Sequence, residues 1–340
     1  MEVYDKNKTT YQKEIYMCTC IQFKTEDNYF GRNLDLEYRF NEKVVITPRN
    51  YEFKLKNGNT IKTKYSMIGV AAVADNYPLY AEASNEKGLS MAGLYFPDNA
   101  CFFDEESSKL NLAQYELIPY LLGNYSTIEE IRHIISDLNI TNIPFSRDMP
   151  VSELHWMISD TKECIVIEQM KNGMNVYDNP IGVLTNNPPF SYHMANINNY
   201  INLTPLYAKN RFSDKINLQQ YGNGMGALGL PGDASPSSRF IRASFNLLNS
   251  VCDSDEESSI TRFFHILDSV SMIRGATITK EGLADITNYS CCINTSKGIY
   301  YYKTYMNNMI TAVRMTQEEK NKEELTVYDL CEKQQIRYEN

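Results

Sequence analysis

A thiol at Cys18 heads the apolar stretch Met17-Cys18-Thr19-Cys20-Ile21-Gln22-Phe23, and the run Gly31-Arg32-Asn33-Leu34-Asp35 follows it closely. A free thiol has a pKa of about 8.5 and is mostly protonated at neutral pH, so a nucleophilic cysteine needs a base or a cation beside it. Arg32 offers a permanent positive charge and Asp35 a carboxylate that could orient a donor. Were Cys18 the first residue of the chain, its own α-amine, with a pKa of about 7.7 to 8, could take the thiol proton, and no histidine would be required. The same residues also fit a buried strand cysteine beside a structural ion pair, and spacing alone favours that plainer reading. A second stretch, Thr185-Asn186-Asn187-Pro188-Pro189, ends an apolar run in a polar loop. An asparagine amide there could donate to an oxyanion, although loop asparagines are also ordinary turn formers.

Other catalytic arrangements find less support. His133 and His265 fall within amphipathic helical patterns, and no papain- or caspase-type signature surrounds a cysteine. GxGxxG occurs at Gly224–Gly229, but no strand leads into it and Pro231 and Gly232 follow where a phosphate-binding helix should begin. The eight cysteines contain no CxxC and no zinc spacing, so reduced, structural thiols are expected, with neither metal nor organic cofactor.

Composition narrows the partners. A net charge of −9 opposes nucleic-acid binding, which needs a basic footprint, and favours a small-molecule substrate. No apolar run approaches the roughly 18 residues needed to cross a bilayer. The first seventeen residues, MEVYDKNKTTYQKEIYM, hold no apolar block of a secretory signal, so a cytoplasmic protein is expected.

These groups need elements to hold them. YFGRNLDL, KVVITP, YSMIGVAAVA, LSMAGLYF, HWMISD, ECIVIEQM, MNVYDN and GVLTN read as short strands cut by turns, and YSCCINTSKGIYYYKTYMNNMITAVRM as three more. Helical periodicity marks LAQYELIPYLLGNY, STIEEIRHIISDL with a capping box from Ser126 to Glu129, SSRFIRASFNLLNSV and ESSITRFFHILDSV. The charge-rich tail after Arg314 reads as a surface helix or strand. Strands in blocks and helices in pairs predict one α+β domain with helices outside antiparallel sheets.

Taken together, MCT at 17–19, FGRNLDLEYRFN at 30–41, NEKGLSMAGLYFP at 85–97, LHWMISD at 154–160, GVLTNNPPF at 182–190, GLPGDASPSSRFIRASF at 229–245 and GIYYYKTY at 298–305 resemble the choloylglycine hydrolase family, which includes bile salt hydrolases and penicillin V acylases. The resemblance runs from Met17 to about residue 315. It implies an N-terminal-nucleophile (Ntn) hydrolase fold, an αββα sandwich with the nucleophile opening a central strand. By the same resemblance the nucleophile falls on Cys18, the conserved arginine and aspartate on Arg32 and Asp35, the oxyanion asparagine on Asn186 and a second arginine on Arg239. The implied substrates are glycine- or taurine-conjugated bile acids, and the implied assembly is a homotetramer. Penicillin V or another N-acyl amide, such as an acyl-homoserine lactone, is the alternative substrate. Asn85, before Glu86-Lys87-Gly88, stands where bile salt hydrolases tend to carry asparagine and penicillin V acylases tyrosine. Leu34, Ile143 and Phe145 are candidate walls of an apolar acyl pocket.

The departure from the family pattern lies at the start. Family members begin at the cysteine, and here residues 1–17 precede it, so 1–17 is expected to be a leader or misassigned start absent from the active form, with 18–340 a single domain. While Cys18 is joined to Met17 its nitrogen is an amide, and the chain as written should be inactive. Translation from Met17, autocatalytic removal of a propeptide and an inactive bile-acid-binding relative all fit, with the first favoured by the Met-Cys pair. Cys20, where the family more often has glycine, is expected to pack.

Overall fold

The computed structural model describes residues 17–340. The chain opens on a hairpin of β1 (Met17–Lys24) and β2 (Asn28–Leu36), paired in full from Met17 opposite Asp35 to Lys24 opposite Asn28. β3 (Lys43–Thr47), a small hairpin of β4 (Glu52–Lys54) and β5 (Thr60–Lys62), and a meander of β6 (Met67–Ala74), β7 (Tyr77–Asn85) and β8 (Ser90–Tyr95) follow. β9 (Leu110–Ala113) leads into helices α1 (Leu117–Asn124) and α2 (Ile128–Ile134), and β10 (Leu138–Thr141) returns parallel to β9. A second meander, β11 (Leu154–Ser159), β12 (Cys164–Met170) and β13 (Gly173–Asp178), ends at the short β14 (Val183–Leu184). After α3 (Phe190–Asn196), α4 (Pro236–Asn249) and α5 (Glu256–Asp268) come β15 (Ile286–Asn294), β16 (Ile299–Thr304), β17 (Asn307–Arg314) and β18 (Thr326–Asp329).

The strands form two large antiparallel sheets. One runs β14-β1-β2-β15-β16-β17 and the other β13-β12-β11-β8-β7-β6-β3-β18. Period-2 alternation explains why they stack. On β12, Cys164 and Val166 join the core shared with Cys20, Ile21 and Phe30 of the first sheet, whereas Ile165 and Ile167 pack with Leu117, Leu121, Ile128 and Ile131 of α1 and α2. On the other side α4 and α5 lie over β1 and β15, with Phe240, Leu247, Phe263 and Leu267 buried. The result is a four-layer αββα sandwich. Every position of β2 is buried, as expected for an inner strand, and it lies close to β15: a Cβ at Gly31 would stand 2.1 Å from the Cys291 carbonyl oxygen.

Two local expectations are corrected. The helix read from LAQYELIPYLLGNY begins only at Leu117, because Leu110–Ala113 pairs with β10 and Gln114–Glu116 forms a single 3-10 turn. The capping box of α2 is shifted by one residue: Thr127 accepts from the Glu130 N–H, while the Glu130 carboxylate accepts from the backbone of both Ser126 and Thr127 and from the Ser126 hydroxyl. The tail contributes β18, an edge strand on β3, and the glycine loop at 224–229 lies in a long irregular arm between α3 and α4. Of the expected leader, residues 1–16 lie outside the described residues.

Candidate active site

Cys18 is the second residue of β1, buried between the sheets opposite Leu34. Its N–H donates to Asn186 Oδ1 at 2.7 Å. Asn186 follows β14, which pairs with β1 through Cys20 opposite Leu184, so the sheet itself brings the asparagine to the head of the thiol's strand. The Asn186 amide donates one hydrogen to the Tyr95 carbonyl at 2.8 Å.

Arg239 arrives from α4. Ser235 caps that helix by accepting from the Ser238 N–H, Pro236 opens its first turn, and Arg239 then falls on the face turned to β1. Fully buried, it donates to the Cys18 carbonyl at 2.5 Å, to Thr19 Oγ1 at 2.6 Å and to Asn186 Oδ1 at 2.8 Å. Arg32 points the other way. From β2 it crosses to the second sheet and donates to the Gly93 carbonyl at 2.5 Å and the Ala81 carbonyl at 3.2 Å. Behind it, the buried Glu82 carboxylate lies 3.9 Å from Arg32 Nε and accepts from the hydroxyls of Tyr289 at 2.7 Å and Tyr300 at 2.6 Å. Asp35 accepts from the Thr287 hydroxyl at 2.6 Å through Oδ1, and its Oδ2 is buried without a partner among the described residues.

Electrostatics favour a thiol that needs a base. Burial pushes the Cys18 thiol up, and Arg32 and Arg239 pull it down without cancelling that shift. Asp35 is lifted to about 6, chiefly by burial, against the pull of Arg239, the Thr287 hydroxyl and Arg32. Burial also lowers Arg239, whereas the ionisable groups around Arg32, Cys18 and Glu82 foremost, outweigh its burial and raise it.

The thiol opens onto a cavity of about 550 Å³. Leu34, Leu36 and Arg32 come from β2, Tyr95 and Trp156 from the second sheet, Tyr115 and Ile118 from the α1 region, and Tyr38, Phe40, Phe145 and Met149 from loops. Such a volume and apolar lining suit a bulky acyl group. Leu34 and Phe145 therefore lie where the sequence reading placed them. Ile143 and Asn85 do not. Ile143 stands outside the cavity wall, two residues before Phe145. The Asn85 amide donates to the Leu122 and Tyr125 carbonyls, and its Oδ1 accepts from the Lys87 and Leu89 N–H groups, so it fastens the β7–β8 turn to α1. Position 95, at the other end of β8, reaches the cavity instead. Glu82 was also unforeseen, although a lone acid between Ala81 and Ala83 in a strand was a visible signal.

A cysteine at the head of an inner strand, between antiparallel sheets covered by helices, defines a protein of the N-terminal-nucleophile hydrolase class. The sequence profile of linear amide C–N hydrolases, choloylglycine hydrolase family, matches residues 18–328. The chain is 46% identical to the bile salt hydrolase/transferase of Lactiplantibacillus plantarum, over 92% of this chain and 97% of that one, and 42% identical to the bile salt hydrolase/transferase of Clostridium perfringens, over 92% and 96%. A crystal structure of a variant of the conjugated bile acid hydrolase from Clostridium perfringens superposes with a TM-score of 0.89 at 40% identity, over 95% of this chain and all of that one. Penicillin V acylase from Agrobacterium tumefaciens shares the fold, with a TM-score of 0.70 at 20% identity over 92% and 91% of the two chains. The chain belongs to the choloylglycine hydrolase family and is a linear amide hydrolase.

Proposed function

We propose that this protein hydrolyses the amide bond of glycine- or taurine-conjugated bile acids through a thioester on Cys18. The observation that carries the reading is the bonded group of Cys18 N, Asn186 Oδ1 and Arg239 on a residue whose thiol lines an apolar cavity. In a chain beginning at Cys18 the α-amine takes the thiol proton, and the sulfur attacks the amide carbonyl. The second N–H of the Asn186 amide and a nearby backbone N–H hold the oxyanion. The tetrahedral intermediate collapses, the C–N bond breaks, and the proton passes from the ammonium to the departing amine. Water then attacks the thioester with the amine again as base, releasing the bile acid and the thiol. Asp35 holds the amine, while Arg32 and Arg239 set the charge around the sulfur. Peptide-bonded to Met17, the nitrogen is an amide without basicity, so activity requires that bond to be absent.

The test uses a chain shown by intact mass to begin at Cys18, incubated with glycocholate, taurocholate and penicillin V. Release of glycine or taurine by the parent and none by Cys18→Ala is expected. Faster turnover of penicillin V than of either bile salt would assign the alternative substrate class, and binding without turnover would make the chain an inactive relative. Both relatives carry transferase as well as hydrolase in their names, which favours a second use of the thioester. An added amino acid would intercept the acyl group in place of water, giving a new conjugate detectable by mass.

The arm between α3 and α4 supports a homo-oligomer, with the tetramer as the assembly this reading adopts. It folds back on itself through the Thr204 N–H to Gly226 carbonyl bond, yet leaves Phe212 83% and Tyr221 88% exposed, with Ile201, Leu206, Tyr207 and Leu228 also open. Apolar groups so placed suit burial against a second copy. A cytoplasmic location belongs to the same reading. Among the described residues no helix is long and apolar enough to cross a membrane.

A further inference from the structure

Two buried histidines outside the proposed chemistry converge on the segment that carries Asn186. His155, on β11, lies stacked on Phe96 with ring centroids 4.3 Å apart. Its Nε2 is 2.9 Å from the Thr185 carbonyl and its Nδ1 3.0 Å from Glu168 Oε1. The same Glu168 oxygen accepts from the Phe190 N–H at 2.9 Å, where α3 begins. His193, on α3, places Nε2 3.0 Å from the Asn186 carbonyl, and its ring lies against Phe240 at 4.7 Å.

The segment between β14 and α3 lacks a ladder to define its path. Its Thr185 and Asn186 carbonyls and the Phe190 N–H are met by three side chains that are themselves wholly buried. Burying an imidazole or a carboxylate is costly unless it is hydrogen-bonded, and His155 Nε2, His193 Nε2 and Glu168 Oε1 each bond a main-chain group of this segment, while Glu168 Oε2 has no partner among the described residues. His193 Nδ1 has no partner among the described residues, so the ring carries its hydrogen on Nε2, facing the carbonyl. Burial lowers His193 to about 4, which keeps that donor unchanged through the neutral range. Phe240, on which His193 rests, is the neighbour of Arg239, so one turn of α4 both bonds the Asn186 side chain through Arg239 and backs the α3 histidine that bonds its carbonyl.

We propose that His193, backed by the His155–Glu168 pair, is a positioning residue that fixes the main chain of Asn186, so that its side chain meets Cys18 N and Arg239 and presents an N–H to the oxyanion. This rests on the amidase reading above. It is tested on a chain beginning at Cys18 by comparing the parent with His193→Phe, which keeps the ring on Phe240 but removes the donor, and His193→Gln, whose amide can reach the carbonyl. In His193→Phe, kcat should fall about ten- to hundredfold, with KM changed less than about threefold, as for a displaced oxyanion donor. His193→Gln should recover to within about threefold of the parent kcat. Should His193→Phe not fold, His193→Asn, whose amide falls short of the carbonyl, takes its place. A crystal structure of the donor-less variant should show Asn186 Oδ1 withdrawn from Cys18 N. Parent-like kcat in that variant, or equal loss in His193→Gln, overturns the proposal. Silence of the parent toward every amide would instead sink the amidase reading. The crystal structure would then decide the positioning by itself, because retention of the Asn186 bond to Cys18 N overturns it.

Discussion

Cys18 shows why the number of charges near a thiol does not settle its reactivity. Two guanidinium groups flank it, yet burial keeps its pKa above the ordinary value, so in the proposed mechanism proton removal falls to the α-amine. Cys18→Ser keeps an attacking atom but one far harder to deprotonate. It should lose at least about a thousandfold in kcat/KM, measured by amine release, with an unchanged circular dichroism spectrum. A second buried carboxyl makes a prediction about stability. Asp285 is raised to about 7 by burial and by its neighbours Asp35 and Glu37, against the pull of Arg239, and its Oδ1 lacks a partner among the described residues. Below about pH 4 both folded and unfolded chains hold its proton. Between there and about pH 7 the unfolded chain releases a proton that the folded one retains, so the folded state loses stability as pH rises. The thermal midpoint of Asp285→Asn should therefore gain on that of the parent between pH 4.5 and pH 8. An equal difference at both pH values would contradict the raised pKa. Cys18, Arg32, Asp35 and Asn186 stood out in the sequence as candidates within short local runs, although spacing alone favoured plainer roles, and Arg239 entered only through the family resemblance. Asn85 misled because an asparagine that fastens a turn and one that faces a cavity look alike until the chain is folded. His193 gave no signal, since its partner is a backbone carbonyl.

At the scale of elements, the inner strands are held to close tolerances. Gly31→Ala would drive a Cβ into the Cys291 carbonyl and force β2 from β15, moving Arg32 with it. A loss of at least about 2 kcal/mol in unfolding free energy is expected, measurable by urea denaturation. Ser235→Ala removes the cap of α4 and should cost about 1 kcal/mol by the same measurement, a loss that Ser235→Asp should largely avoid. Most long strands could be read as β-type runs bounded by turn residues, including the three from Ile286 onward. β7 escaped because Pro78, Glu82 and Asn85 interrupt its apolar pattern, and the last two are accommodated by hydrogen bonds to Tyr289 and to the Leu122 carbonyl. The start of α1 was misread because the leucines of Leu110–Ala113 suit a helix face as well as a strand, and only pairing with β10 decides between them.

For the whole molecule, blocks of strands and pairs of helices were enough to anticipate the layers, while the order of strands within each sheet depends on long-range pairings such as β2 with β15. The exposed arm carries a prediction at this scale. If the proposed homo-oligomer forms through this arm, replacing both Phe212 and Tyr221 with aspartate should lower the mass seen by light scattering; an unchanged mass would take the contact away from the arm, and a parent that is already monomeric would overturn the assembly. Arg32 has a further consequence. By tying β2 to the Gly93 and Ala81 carbonyls it rivets one sheet to the other directly beneath the cavity, so the floor has little freedom to change shape. The rim is built differently, from Tyr38 and Phe40 after β2 and from Phe145 and Met149 before β11. Divergence among relatives, or deliberate redesign toward other acyl groups, would therefore run most easily through those two loops, exchanging the mouth of the site while its foundation stays as it is.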